Sequence, residues 1–156
     1  MVSAGLEAGP VKASRGVTLL PDTTLDQALE RDYDMVVLPG GLPGADHLDN
    51  DPRVRALLRE MSDTGRYTAA ICAAPKVLAG AGLLEGRQAT GYPGVLEALG
   101  LPATRLSEAP VVRDGKVITS RGPGTAMDFT LELIEALVGK DQREAVESAL
   151  VRPASC

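Results

Sequence analysis

The chain changes character at one residue. Tyr67-Thr68-Ala69-Ala70-Ile71 is a short apolar run with the length of a buried strand, and Cys72 closes it. Ala73, Ala74 and Pro75 follow, and residues 76–84 then read as a helix. Proline suits a first helical turn, because the N–H it lacks would have no partner inside the helix. Cys72 is therefore expected in a strand-to-helix turn. Such a turn lifts a side chain out of a sheet and aims it at a helix N-terminus, where partial positive charge favours thiolate over thiol. It is the cysteine counterpart of the nucleophile elbow of serine hydrolases. A buried, inert cysteine fits the same spacing, as most lone cysteines do. Spacing alone leaves the two readings level.

The rest of the chain repeats the alternation. The first residues, Met1 to Leu6, read as a strand entered partway through, and a loop follows at Gly9-Pro10. Residues 17–20 read as a short strand. Thr24 with Gln27 makes a capping box for a helix to about Arg31. Met35-Val36-Val37-Leu38 reads as a second buried strand, stopped by Pro39-Gly40-Gly41. Asp51 is a good N-cap with Pro52 just inside it, and Val54, Leu57, Leu58 and Met61 recur at helical spacing as far as Gly65. Beyond the elbow, residues 87–90 read as a strand and 95–99 as a short helix. Arg113-Asp114-Gly115-Lys116 is hairpin-turn chemistry between two valine-rich runs. Met127, Leu131, Ile134, Leu137 and Val138 mark the apolar face of a long helix closed by Gly139. A last helix is expected from Asp141 as N-cap to about Val151, with 152–156 a frayed tail.

Strands alternating with helices predict an α/β fold with a mostly parallel sheet, in one domain over residues 1–156. Sites in such sheets lie beyond the carboxyl ends of the strands, where Gly40-Gly41 and Cys72 both stand. The net charge is −5 and no run of Lys or Arg occurs, which argues against a nucleic acid or anionic membrane as partner. No apolar run reaches the length of a membrane span, and no signal peptide is expected before the first element. The single histidine, His47, cannot make a multi-histidine metal site, so neither metal nor cofactor is expected. Two cysteines make no disulfide framework, and a reducing, cytoplasmic setting is expected.

Cys72 is the candidate nucleophile. The N–H groups of Gly40 or Gly41 and of Ala73 are candidate donors to a developing oxyanion, although a plain tight turn is the simpler reading of two glycines. Arg121 and Arg15 suit either a substrate carboxylate or an acidic side chain. His47 reads as a solvated loop residue and Tyr92 as a packed turn residue. Glu144 and Glu147 read as a solvated helix face.

Val37-Leu38-Pro39-Gly40-Gly41, Ala69-Ala70-Ile71-Cys72-Ala73-Ala74-Pro75 and Thr119-Ser120-Arg121-Gly122-Pro123-Gly124-Thr125 together resemble the ThiJ/PfpI superfamily, in its DJ-1/YajL-like branch. The resemblance runs from Val2 to about Val151. It implies a flavodoxin-like three-layer sandwich and a homodimer. It implies that Cys72 is the reactive, oxidation-prone thiol with Gly40, Gly41 and Ala73 around it, and that Arg15, Arg121, Gly122 and Pro123 are further binding candidates. The activities it implies are glyoxalase action, deglycation of groups modified by 2-oxoaldehydes, oxidative-stress sensing and chaperone behaviour.

Two departures from the family pattern follow. Members begin with a further strand and a helix whose glutamate hydrogen-bonds the cysteine. No residue here matches that glutamate, so an N-terminally truncated domain with impaired activity is expected. Some members also carry a histidine near the position of Ala103, which this chain lacks. Ala73 replaces the histidine that follows the cysteine in protease-like members. Because no histidine follows Cys72, the amidotransferase reading drops with the peptidase one. The leading expectation is a cysteine-dependent glyoxalase or deglycase. The alternative is a non-enzymatic redox-responsive chaperone switched by oxidation of Cys72.

Overall fold

Parallel strands need a crossover between them, and helices supply it. The computed structural model of the protein, which describes residues 1–152, has that plan. In chain order its strands are β1 (Ala4–Gly5), β2 (Val11–Lys12), β3 (Thr18–Leu19), β4 (Thr23–Thr24), β5 (Met35–Leu38), β6 (Tyr67–Ile71), β7 (Gln88–Ala89), β8 (Arg105–Leu106), β9 (Val111–Asp114) and β10 (Val117–Ser120). Its helices are α1 (Leu25–Ala28), α2 (Gly44–Asn50), α3 (Pro52–Asp63), α4 (Pro75–Gly80), α5 (Ala126–Val138) and α6 (Lys140–Ala149).

The central sheet has the order β5-β6-β10-β9. The first three strands are parallel, and β9 runs antiparallel on the edge. Leu38 pairs with Ala70, and Ser120 pairs with Ile71. The carboxyl ends of β5, β6 and β10 therefore finish level, with β6 in the middle. Successive residues of a strand point to opposite faces. Ala70 accordingly joins a core with Val54 and Leu58 of α3 and Val77 and Leu78 of α4. Ala69 joins Ile118 and Phe129 of α5 on the other side. Helices on both faces of a mostly parallel sheet make the flavodoxin-like three-layer sandwich. Among the described residues no helix is long and apolar enough to cross a membrane.

Several local expectations need correction. The helix after Thr24 is a single turn, continued to Arg31 only by looser turns. Thr24 Oγ1 does accept from the Gln27 N–H, at 3.4 Å, but Gln27 Oε1 is taken by the Thr23 hydroxyl at 2.7 Å instead of closing the capping box. β5 is an edge strand rather than a fully buried one, and Val37 is 42% exposed. His47 belongs to α2, not to a loop. Leu131 of the expected face of α5 is buried, whereas Met127, Leu137 and Val138 of that face are exposed and Phe129, Leu133 and Ala136 turn to the sheet. Gly139, at φ 91°, ends α5 and opens α6, and Asp141 lies inside the first turn. Arg152 is not frayed: it is tied to Asp128 at 2.6 Å and to Glu147 at 3.2 Å. Residues 153–156, Cys156 included, lie outside the described residues.

Candidate active site

Cys72 follows the last residue of β6 with φ 64°, and Val151 is the only other non-glycine residue at positive φ among the described residues. Left-handed backbone costs a residue with a Cβ about 1 kcal/mol or more, and it persists where surrounding structure fixes it. Here both sides of the Cys72 peptide are fixed. Its N–H donates to Ser120 O at 3.0 Å, and its carbonyl accepts the Tyr92 N–H at 2.9 Å. The Ala74 N–H then turns back to Ile71 O at 3.1 Å, and Pro75 starts α4.

The glycines beside it are obligatory for two different reasons. A methyl on Gly40 would lie 2.6 Å from Cys72 Cβ, 2.8 Å from Ile71 O and 3.4 Å from Cys72 Sγ, so the cysteine side chain rests directly on the Gly40 backbone. Gly41 has φ 94°, and a methyl there would also lie 3.1 Å from Ser14 Oγ. These are more than the plain turn that the dipeptide suggests on its own. The Gly41 carbonyl accepts the Ala45 N–H at 2.8 Å and so begins α2. Lys76 of α4 pairs with Asp46 of α2, joining the helix after the cysteine to the helix after the glycines. Among the described residues, the N–H groups of Gly40, Gly41 and Ala73 donate to no protein acceptor, and Cys72 Sγ, half-buried, makes no hydrogen bond. The arrangement is a thiol held beside uncommitted backbone donors.

The third strand end supplies a wall. Arg121 donates from its main chain to Pro110 O at 3.2 Å and from Nη1 to Glu108 O at 3.0 Å, a carbonyl rather than the acidic side chain that was one of its two expected partners. Thr125 Oγ1 accepts the Gly122 N–H at 3.1 Å and lies 2.7 Å from Ser120 Oγ, which locks the turn that Pro123 opens. A methyl on Gly122 would come within 3.4 Å of the Tyr92 ring. Tyr92 thus links this wall to the Cys72 carbonyl and is half exposed. Beneath them, a cavity of about 20 Å³ is lined by Thr90, Gly91, Ser107 and Arg121 among others. Arg15 stands exposed at the tip of the β2–β3 hairpin, beside the Ser14 that touches Gly41.

Of the residues expected around the thiol, the structure places Gly40 against Cys72, with Gly41 and Ala73 next to them along the chain. Sequence reasoning overlooked Ser14, Thr125 and the Asp46–Lys76 pair. A serine adjoining the candidate Arg15 was the one available signal for Ser14. Thr125, three residues after Gly122, has the spacing of a hydroxyl that returns to the backbone.

Comparison with known proteins bears on this geometry. Residues 1–136 match the DJ-1/PfpI family. The chain is 44% identical to Drosophila melanogaster protein dj-1beta over 95% of this chain and 80% of that protein. It is 42% identical to Arabidopsis thaliana DJ-1 homolog A over 90% of this chain, but spans only 36% of that longer relative. It is 33% identical to the Caenorhabditis elegans glutathione-independent glyoxalase DJR-1.2 over 92% of this chain and 76% of that protein. The crystal structure of Drosophila DJ-1beta superposes with a TM-score of 0.92 at 43% identity, covering 97% of this chain and 82% of that one.

Proposed function

This chain belongs to the DJ-1/PfpI family, and we propose that it is a cysteine-dependent glyoxalase or deglycase acting on small 2-oxoaldehydes or their adducts. The observation that carries the reading is the Cys72 thiol seated on Gly40, with the N–H groups of the adjoining Gly41 and Ala73 donating to no protein acceptor among the described residues. The relative named as a glutathione-independent glyoxalase supports the same chemistry. The thiolate attacks the aldehyde carbon, forming a C–S bond and placing the carbonyl electron pair on oxygen. The Gly41 and Ala73 N–H groups hold that oxyanion until it is protonated to a hemithioacetal. The proton on the sulfur-bearing carbon is then lost, and one is gained at the neighbouring carbonyl carbon. This gives a 2-hydroxy thioester. Water adds to the thioester and expels the thiolate, so aldehyde plus water becomes a 2-hydroxy acid with no oxidant or reductant.

No carboxylate or imidazole hydrogen-bonds the sulfur among the described residues. The proton transfers therefore run through the substrate hydroxyl and solvent. Turnover is lower by the about 10²–10⁴-fold that a positioned acid/base contributes. Arg15, Arg121, Gly122 and Pro123 are assigned in this reading to substrate binding rather than to bond making. The homodimer implied by the resemblance belongs to the same proposal, and a dimer mass in light scattering is its expected result.

The test is methylglyoxal incubated with the chain and with Cys72→Ala. Loss of aldehyde and appearance of lactate only with Cys72 present are the expected results. Equal loss in both samples overturns the reading. A second reading, a redox switch, is favoured by the same donors, which would also hold the oxygens of a sulfinate at Cys72. Peroxide-dependent chaperone activity without lactate formation would decide for it.

A further inference from the structure

We infer that Asp46 and Lys76 are positioning residues: their ion pair sets the distance between the Cys72 thiol and the backbone donors at Gly40 and Gly41. The inference rests on the reaction proposed above. The two halves of the site come from different strand–helix units. Gly40 and Gly41 lie between β5 and α2, whereas Cys72 and Ala73 lie between β6 and α4. The ladder between β5 and β6 ends at Leu38 and Ala70. Beyond it, no hydrogen bond joins Gly40 or Gly41 to Cys72, Ala73 or Ala74 among the described residues. The contact of Gly40 with Cys72 limits how close the halves come. Such a contact attracts only weakly, so it does little to keep them from parting.

The pair between α2 and α4 supplies that restraint. Each charge stands one residue from a group that fixes its own half. Asp46 follows Ala45, whose N–H holds the Gly41 carbonyl at 2.8 Å. Lys76 follows Pro75, the first residue of α4. A tie to α4 matters for α2, because no side chain caps α2. Helix stability does not account for Lys76, since a cation in a first turn opposes the helix dipole. Its side chain is nevertheless mostly buried, and its ammonium meets Asp46 Oδ1. A partly exposed pair adds little to stability. A displacement of about 1 Å at reacting atoms, by contrast, lowers a rate about 100-fold.

The test compares the parent with Lys76→Met, Asp46→Asn and the double variant. One single variant loses a cation and the other an anion, so charges acting on the thiol through space would move them in opposite directions. A restraint makes both fall alike, and the double variant no further. The expected result with methylglyoxal is a loss of kcat of about 10-fold in each, from a shift well under 1 Å, with KM little changed and urea midpoints near the parent's. Lys76→Arg, which can keep the pair, is expected to retain turnover. ¹⁵N spectra give a readout that needs no turnover. The Gly40, Gly41 and Ala73 amides are expected to shift the same way in both single variants, with the β9 and β10 amides unmoved. Lactate absent from the parent overturns the enzymatic reading, and the amide shifts then decide the restraint alone. Opposite changes in the two single variants overturn the inference. So do additive losses in the double variant, or unchanged amides and turnover in a folded Lys76→Met chain.

Discussion

Ala69 and Ala70 are neighbours on β6 and equally buried, yet they enter very different cores. Among the described residues, Ala70 is one of fourteen buried residues that run through α1, α3, α4 and the loops beyond them. Among the described residues, Ala69 shares its side with two other fully buried side chains, Ile118 and Phe129, and otherwise with half-buried ones such as Leu133 and Ala136. On that thinner side Val37 is 42% exposed, and α5 turns Met127 and Leu137, each 46% exposed, away from the sheet. The asymmetry shows where the site is anchored. Ala74, Val77 and Leu78, the residues that seat the helix after Cys72, all belong to the deep core. The thin side contributes little to holding the elbow.

The largest test of this contrast is a pair of truncations. Leu78→Ala, in the deep core, is expected to cost about 2–5 kcal/mol, whereas Leu137→Ala on the outer side of α5 is expected to stay within about 0.5 kcal/mol. Urea unfolding measures both, and comparable losses would erase the distinction.

Next in size is Gly40→Ala. It forces Cys72 Cβ away from a backbone that it now touches. Because a displacement of about 1 Å at a reacting atom costs about 100-fold in rate, aldehyde turnover should fall by that factor with the deep core still folded. Retained turnover would mean that the elbow is less tightly seated than the deep core implies.

A smaller effect sharpens the deep side alone. Asp51 caps α3 by accepting the Arg53 N–H at 2.8 Å, and it also accepts from Arg53 Nη2 at 2.7 Å. The Arg53 side chain beside it, with the backbone N–H groups of the first turn, holds its carboxyl below the usual value. The folded pKa is depressed, so the stabilisation is present above the unfolded carboxylate range and is lost as pH falls through the lowered value. Asp51→Ala should cost about 0.5–2 kcal/mol at neutral pH. The difference from the parent should shrink in acid, read from urea midpoints between neutrality and about pH 3. A difference constant with pH would remove the charge from the account.

The smallest effect belongs to the thin side. Lys116 Nζ sits 3.8 Å from the Tyr67 ring centroid, and Arg113 Nη2 donates to Tyr67 Oη at 3.0 Å. Burial pushes the Tyr67 phenol up, but Lys116 and Arg113 outweigh it and hold the phenol below its ordinary value. Lys116→Gln is expected to move that titration upward and to cost about 0.5–1 kcal/mol. An unmoved phenol titration in Lys116→Gln would refute the pairing.

Local chemistry was legible in the sequence wherever a single short pattern decides the backbone. The strand and proline around Cys72, the Asp51-Pro52 start of α3 and the hairpin closed by Gly115 at φ 62° are all of this kind. What could not be read depends on partners distant in the chain. α2 begins at Gly44 after Pro43, with no capping side chain, so nothing in Gly44-Ala45-Asp46-His47 announces a helix. α5 is apolar on two sides, and only the sheet selects Phe129, Leu133 and Ala136 over Met127 and Leu137. The need for glycine at position 40 arises from a cysteine just beyond another strand, and no local reading reveals it.

The bond from the Cys72 amide to Ser120 has a further meaning while the chain is being made. Synthesis runs from the N-terminus, and domains complete themselves as their last elements emerge. When α4 has just left the ribosome, the Tyr92 amide that grips the Cys72 carbonyl has still to emerge, and Ser120, the partner of the Cys72 amide, emerges later still. Pairing β6 with β10 is a long-range closure, slow compared with forming a helix. A nascent chain that stops short of β10 carries the cysteine as an undirected thiol. The thiol takes its place only once β10 has joined the sheet, so in this fold the geometry at residue 72 depends on a strand made late in synthesis.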